Sequence, residues 1–274
     1  AEGVSDAGVP VFAGDIKGDL SGIGAVGEPK DFILKRNQQI GLDVYENRAF
    51  PTILWDVFGE SGHPVRATVL DMGPLLLSRL LELNEVQEGV LNIAFRVAAD
   101  EKLPVVDMKD LRALINNVAE RSKELTTTYG NIASTSVGSI QRRLLVLEEQ
   151  GADQFFGEPA VDIADFMRVA PDGRGVINLM TADKLMQKPR LYSTFLLWLL
   201  TKLWQTLPEV GDLDKPKLVF FFDEAHLLFD EAPKPLMERI EQVARLIRSK
   251  GVGVYFITQN PLDVPDTVSS QLGN

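Results

Sequence analysis

The sequence predicts an α/β protein built on a mostly parallel sheet with flanking helices, and three observations carry that reading. Beyond residue 170, short apolar runs alternate with helical stretches: GVINLM at 175–180, KLVFFFDEAH at 217–226 and GVGVYFITQN at 251–260, with helical periods at about 190–205 and 235–250 between them. Such alternation builds βαβ units, whose crossovers join parallel strands. The run Leu218–Phe222 is apolar at every position, as a central strand covered on both faces requires. Finally, no period of repeat length recurs along the chain, which excludes a solenoid.

The elements follow in order. Residues 9–13 (VPVFA) read as a buried strand feeding a polar loop, Gly14-Asp15-Ile16-Lys17-Gly18-Asp19. Residues 52–58 (TILWDVF) and 65–70 (VRATVL) flank the turn cluster GESG at 59–62 and predict a β-hairpin. From Pro74 to about Gly151 the pattern turns helical. Asn84 and Gln87 form a capping box, and Val86, Val90, Ile93 and Val97 share a face. Asp107 caps a helix carrying Leu111, Leu114, Ile115, Val118 and Leu125, and 136–150 repeats the pattern until Gly151 stops it. The helix at 235–250 is amphipathic, with Ile240, Val243, Ala244 and Ile247 inside and Glu241, Arg245 and Arg248 outside. This divides the chain into a first part of the sheet-bearing core (1–30), a large α-helical plus β-hairpin insertion (31–170) and a second part of the core (171–274).

With 274 residues, 45% apolar and 24% charged, the chain is of globular composition, so disorder and fibrous repeats are excluded. The longest near-continuous apolar run, 195–200 (FLLWLL), is far short of the roughly 20 residues that span a bilayer. No signal-like start and no cysteine is present, so a cytoplasmic location is expected. Two histidines far apart and zero cysteines argue against zinc chemistry and thiol nucleophiles. A net charge of −11 argues against a coat of positive potential, so any DNA contact must be a local patch.

What chemistry remains rests on carboxylates, arginines and amides. The run Phe220-Phe221-Phe222-Asp223-Glu224 delivers two adjacent carboxylates to the C-terminal end of an apolar strand, where open α/β sheets bind ligands. That is the anatomy of a Walker B motif: Asp223 serves the metal and Glu224 the attacking water. An acidic pair ending a buried strand only because carboxylates belong in water would look the same. Gln259 closes the next strand, where an amide can hydrogen-bond a γ-phosphate or its attacking water; an amide satisfying the loop ahead of Pro261 is the plainer alternative. Arg245 and Arg248 lie three apart on one helix face and could reach across a subunit boundary, although Glu241, four before Arg245, offers an ordinary solvated pair. Asp15, Lys17 and Asp19 lie on the functional edge if the first strand joins the same sheet; a surface turn explains them equally well. His226 reads as structural and His63 as chemically silent. The basic groups Arg142-Arg143 and Lys184, Lys188 and Arg190 read as solvated faces.

Several long segments, in order, resemble a known family: GDIKGDLSG at 14–22, VFGESGHPVRATV at 57–69, SVGSIQRRLLVLEEQGADQFFGEPA at 136–160, LDKPKLVFFFDEAHLLFD at 213–230 and RLIRSKGVGVYFITQNPLDVPD at 245–266. The chain is similar to bacterial HerA-like, FtsK-related P-loop ATPases, within a group of helicase HerA-like ATPases of unknown role. The resemblance implies a RecA-like core, Mg2+ and ATP as cofactors, a ring-forming homo-oligomer that is often a hexamer, and ATP-driven movement along DNA. Residue by residue it places Asp223 and Glu224 in Walker B, Gln259 as the sensor amide and Arg248 or Arg245 as a trans-acting arginine; Asp15 and Lys17, from their place at the end of the first strand, are the candidates for cofactor binding. It also implies that the chain begins just after the phosphate loop. A G-x-x-x-x-G-K-[ST] loop does not occur in the 274 residues, nor does the dipeptide Gly-Lys. The fragment itself is therefore expected to be inactive. Two rivals stand beside this reading. A DEAH-type superfamily 2 helicase is suggested by Asp223-Glu224-Ala225-His226 but lacks that class's Ser-Ala-Thr motif, and a non-catalytic interaction domain would use the acidic strand end structurally.

Overall fold

A computed structural model describes residues 1–28, 30–41, 46–211, 213–229 and 234–272. The chain opens with α1 (Glu2–Asp6), β1 (Val11–Asp15), α2 (Asp31–Gln39), β2 (Thr52–Asp56) and β3 (His63–Pro64). A helical block follows: α3 (Val69–Leu80), α4 (Glu85–Glu101), α5 (Met108–Glu120), α6 (Ser122–Tyr129), α7 (Ser134–Glu149) and α8 (Ala152–Phe155). Then come β4 (Ile177–Thr181), α9 (Pro189–Thr206), β5 (Leu218–Phe222), α10 (His226–Phe229), α11 (Lys234–Leu246), β6 (Val252–Phe256) and α12 (Asp266–Ser269). The strands form one six-stranded sheet in the order β3-β2-β4-β1-β5-β6, and every pairing is parallel. The four apolar runs expected to share a sheet are β1, β4, β5 and β6, and β5 lies inside the sheet between β1 and β6.

The expected hairpin is absent. Residues 52–58 instead supply β2, which enters the central sheet beside β4, with Thr52 opposite Ile177 and Trp55 opposite Met180. Its second neighbour is the two-residue β3, also parallel. Parallel neighbours usually need a long crossover. Here a short loop suffices because Asp56 accepts the N–H groups of Phe58, Glu60 and Ser61 at 2.9 Å each, folding the chain tightly back. Gly62 lets it pass over β2, since a Cβ there would lie 2.6 Å from the Leu54 carbonyl. Val65, Ala67 and Val69 are buried in alternation, which explains the strand-like pattern. Only Val65 still bonds to β2, donating to the Asp56 carbonyl at 3.2 Å; beyond it the Ala67 N–H donates to the Phe155 carbonyl and the Val69 N–H to the Val106 carbonyl. Thr68 then caps α3, accepting from the Asp71 N–H at 3.0 Å.

The expected capping box of Asn84 with Gln87 is present, and Asp107 caps α5 as expected, in a box that Asp110 completes. The face assigned to α4 holds at Val90, Ile93 and Val97 and fails at its first member. Val86 is 64% exposed, while Val90, Leu91, Ala94, Phe95, Val97 and Ala98 are buried. A helix packed against α3, α5 and α7 together must bury more than one stripe. The helix expected to run on to Leu125 breaks at Arg121, so Leu125 belongs to α6.

One face of the sheet carries Phe12, Trp55, Phe220 and Phe222 into the large core shared with α9, α11 and the helical block. Phe12 meets Phe220 and Phe166 at 5.0 Å between ring centroids. The polar side chain of Asn178 lies within this layer. Asn178 is fully buried, donates to the Val11 and Phe166 carbonyls at 3.0 Å and accepts from Trp55 Nε1 at 2.9 Å, so its burial leaves nothing unpaired. The opposite face holds a smaller cluster of Val11, Ala13, Phe50, Ile177 and Leu179, covered by Val4, Leu20 and Ile23. That cover thins towards β6, where Tyr255, stacked on Phe221 at 5.0 Å, is 55% exposed.

This asymmetry predicts unequal costs for two aromatic truncations. Phe220→Ala removes a 1%-exposed ring from the main core and is expected to destabilise by about 3–5 kcal/mol in urea denaturation. Tyr255→Ala is expected to cost about 1 kcal/mol or less. Equal losses would contradict the one-sided cover of the sheet.

Candidate functional site

Because β1, β5 and β6 run parallel in one register, with Gly14 opposite Phe222 and Phe222 opposite Phe256, their C-terminal ends meet along one edge. Two backbone hydrogen bonds knit the last two exits together. Ile257 donates to the Phe222 carbonyl at 2.9 Å, and Ala225 donates to the Ile257 carbonyl at 2.8 Å. The residues just past those bonds are Asp223 and Glu224 on one strand and Gln259 on the other.

Glu224 is the hub. Its backbone adopts the left-handed region at φ +48, which non-glycine residues rarely visit and which clusters at functional positions. Its N–H donates to Asp223 Oδ1 at 3.0 Å. The carboxylate, 8% exposed as a residue, pairs with the Lys17 ammonium through Oε1 and lies 3.4 Å from His226 Nδ1 through Oε2, and the Gln259 amide adds a small influence that favours its ionised form. The hydrogen bond from Lys17 holds the Glu224 carboxyl below the ordinary carboxylate value against the opposing effect of burial, and the same contact raises the Lys17 ammonium.

Asp15 ends β1 with 1% exposure, and its carboxylate accepts the N–H groups of Gly18, Asp19 and Leu20 at 2.8, 3.1 and 3.2 Å. It therefore shapes the loop that presents Lys17. The two amides that close β6 divide the labour. Asn260 accepts from the Leu262 N–H at 3.1 Å and satisfies the loop, while Gln259 reaches Glu224. The Lys17–Glu224 contact was not foreseen, because the pairing of β1 with β5 cannot be read from spacing alone.

Arg245 and Arg248 are not brought to this edge. Arg248 lies in the turn that precedes β6 and lines a recess with Pro216, Val252 and Gly253, at the N-terminal ends of the strands. Arg245 faces the adjoining recess with Gly211 and Ser249. The five-residue strand β6 separates the two edges by about 16 Å. Of the basic groups singled out in the sequence, Lys184 pairs with Glu60, Lys188 lies 5.0 Å over the Phe58 ring and Arg143 donates to the Leu81 carbonyl.

Among the described residues no three His, Cys, Asp or Glu side chains converge into a metal cage. Magnesium bound beside a nucleotide needs one or two carboxylates, with phosphates and water completing its shell. Asp223 fits that demand, since one of its oxygens serves the Glu224 N–H and none among the described residues donates to the other.

The family described as Helicase HerA-like C-terminal matches residues 1–274. No curated protein matches. Among solved structures, the bacterial conjugative coupling protein TrwB, in a trigonal form with sulphate, is 12% identical with a TM-score of 0.56, over 97% of this chain and 61% of that one. VirB4 of Thermoanaerobacter pseudethanolicus is 16% identical with a TM-score of 0.52, over 98% and 67%. TrwB in complex with ADP and Mg2+ is 13% identical with a TM-score of 0.50, over 98% and 70%. The chain thus shares their fold and spans roughly two thirds of their length.

The Lys17–Glu224 pair sets a pH dependence. Glu224 is depressed, so its contribution to stability is present above the ordinary value of 4.5 and lost as the pH falls through the lower folded-state value. Lys17 is raised, so its contribution is present below 10.5 and lost as the pH rises through the higher folded-state value. In Lys17→Ala the Glu224 titration, followed by carboxyl 13C NMR, is expected to move upward. An unchanged midpoint would show that Lys17 does not set it.

Proposed function

The chain belongs to the helicase HerA-like C-terminal family, and on that footing we propose that it forms the catalytic core of a P-loop motor that hydrolyses Mg-ATP to do mechanical work on DNA, assembled as a homo-oligomeric ring. The observation that carries this reading is the meeting of Asp223, Glu224, Gln259 and Lys17 at the joined ends of β1, β5 and β6. In this assignment Asp223 holds Mg2+, which when bound neutralises charge on the phosphate oxygens. Glu224 accepts a proton from the attacking water as the bond between the β- and γ-phosphates breaks and ADP leaves. Gln259 orients that water or the γ-phosphate. Lys17, more than half exposed, turns its ammonium towards the same phosphates, and Asp15 fixes its loop. Arg248, with Arg245 as the alternative, acts in trans, because its own edge of the sheet lies away from its own Glu224.

These 274 residues contain no phosphate loop and are expected to bind Mg-ATP weakly, since no backbone-amide cradle is present to surround the phosphates. In a polypeptide extended upstream by a G-x-x-x-x-G-K-[ST] segment, Glu224→Gln is expected to keep nucleotide binding and to lower steady-state phosphate release by about a hundredfold or more. Arg248→Ala is expected to lower turnover only in the assembled oligomer. Equal phosphate release by the extended wild type and Glu224→Gln would sink the assignment.

A further inference from the structure

A protein of net charge −11 repels nucleic acid unless cations stand clear of its own carboxylates. Many of its basic side chains do not. Arg112 is bound by Glu148, Arg121 by Glu101 and Glu124, and Lys202 by Asp71. The segment 30–36 differs: Lys30, Lys35 and Arg36 pair with no carboxylate among the described residues, and Arg36 makes only a 3.4 Å contact to Gln39. These cations sit on or beside α2, a nine-residue helix without a single buried residue, in the connection that leaves β1 just past Lys17.

The exposure of α2 is one-sided. Ile33 and Asn37 are partly covered, whereas Phe32, Lys35, Arg36 and Gln39 are open to solvent, Phe32 at 67%. Phe32 stands three residues from Lys35 and four from Arg36, and Gln39 follows at the same spacings, so the four share a face. An aromatic ring with two unpaired cations one turn beyond it and an amide after them offers a stacking platform beside phosphate contacts, the pattern by which single-stranded nucleic acid is held without regard to sequence. A helix lying on a membrane would instead turn a continuous apolar stripe outward, whereas the exposed Phe32 and Leu34, two residues apart, lie on different sides of α2 and Ile33 is partly covered.

We propose that the outward face of α2 binds single-stranded nucleic acid, with Lys35 and Arg36 on phosphates and Phe32 stacked on a base. Only the choice of a nucleic-acid partner rests on the motor reading; the site needs neither nucleotide nor hydrolysis. The test is fluorescence anisotropy of a labelled oligothymidine, without nucleotide and across a salt series, on the wild type, Lys35→Ala/Arg36→Ala and Phe32→Ala. The double substitution is expected to weaken binding about tenfold and to lower the log–log salt slope by about 1.4, at roughly 0.7 per cation for single strands. Phe32→Ala is expected to weaken binding about tenfold with the slope unchanged, and Phe32→Trp to restore it. Because none of these side chains is buried, far-UV circular dichroism of all variants should match the wild type. Unchanged affinity and slope in the double variant would overturn the proposal while leaving the ATPase assignment intact. Binding to phosphatidylserine vesicles but not to the oligonucleotide would also overturn it, as would indifference to Phe32 with equal binding of duplex. Retained α2-dependent binding in an extended protein that fails to hydrolyse ATP would instead reject the motor and keep this site.

Discussion

The parallel register of β1, β5 and β6 is the constraint on which the candidate site depends. Parallel neighbours leave the sheet in the same direction, so the first polar residues beyond each apolar run must gather at one edge. Gly14 opposite Phe222 and Phe222 opposite Phe256 align the three exits. The paired backbone bonds among Phe222, Ala225 and Ile257 then hold two of them in contact. Without that alignment Lys17 and Glu224, 207 residues apart, would not meet.

The edge is also where the molecule tolerates local cost. A mostly buried carboxylate on a left-handed backbone is unfavourable unless it is compensated, and Glu224 is compensated chiefly by Lys17, with His226 and Gln259 beside it. Asp15 and Asp56 solve a related problem at the ends of β1 and β2, each accepting three backbone N–H groups and turning a strand exit into an ordered loop. Carboxylates used in this way spend their charge on local backbone. The cations of α2, by contrast, are left unspent.

Much of the fold was legible because its signals are local. Five-residue apolar runs, Asn84 and Asp107 as caps and the inner stripe of α11 each follow from periods and capping chemistry within a single element. The misreadings share a cause. The alternation at Val65, Ala67 and Val69 is real, but past Val65 the hydrogen-bond partners that decide between hairpin and loop lie at Phe155, for Ala67, and Val106, for Val69. Likewise Val86 fits a helical stripe, yet which stripes of α4 are buried is set by three neighbouring helices.

By itself the sequence determined the α/β class, the strand runs, the adjacent carboxylates at the end of β5 and the amide after β6, because each is encoded within a few residues of itself. The tertiary structure alone decided that β2 enters the central sheet, that Lys17 neutralises Glu224 and that Arg245 and Arg248 stand at the opposite edge. Strand order is the reason. It is chosen by packing whole elements against a common core, and no local period or motif records which strand will lie beside which.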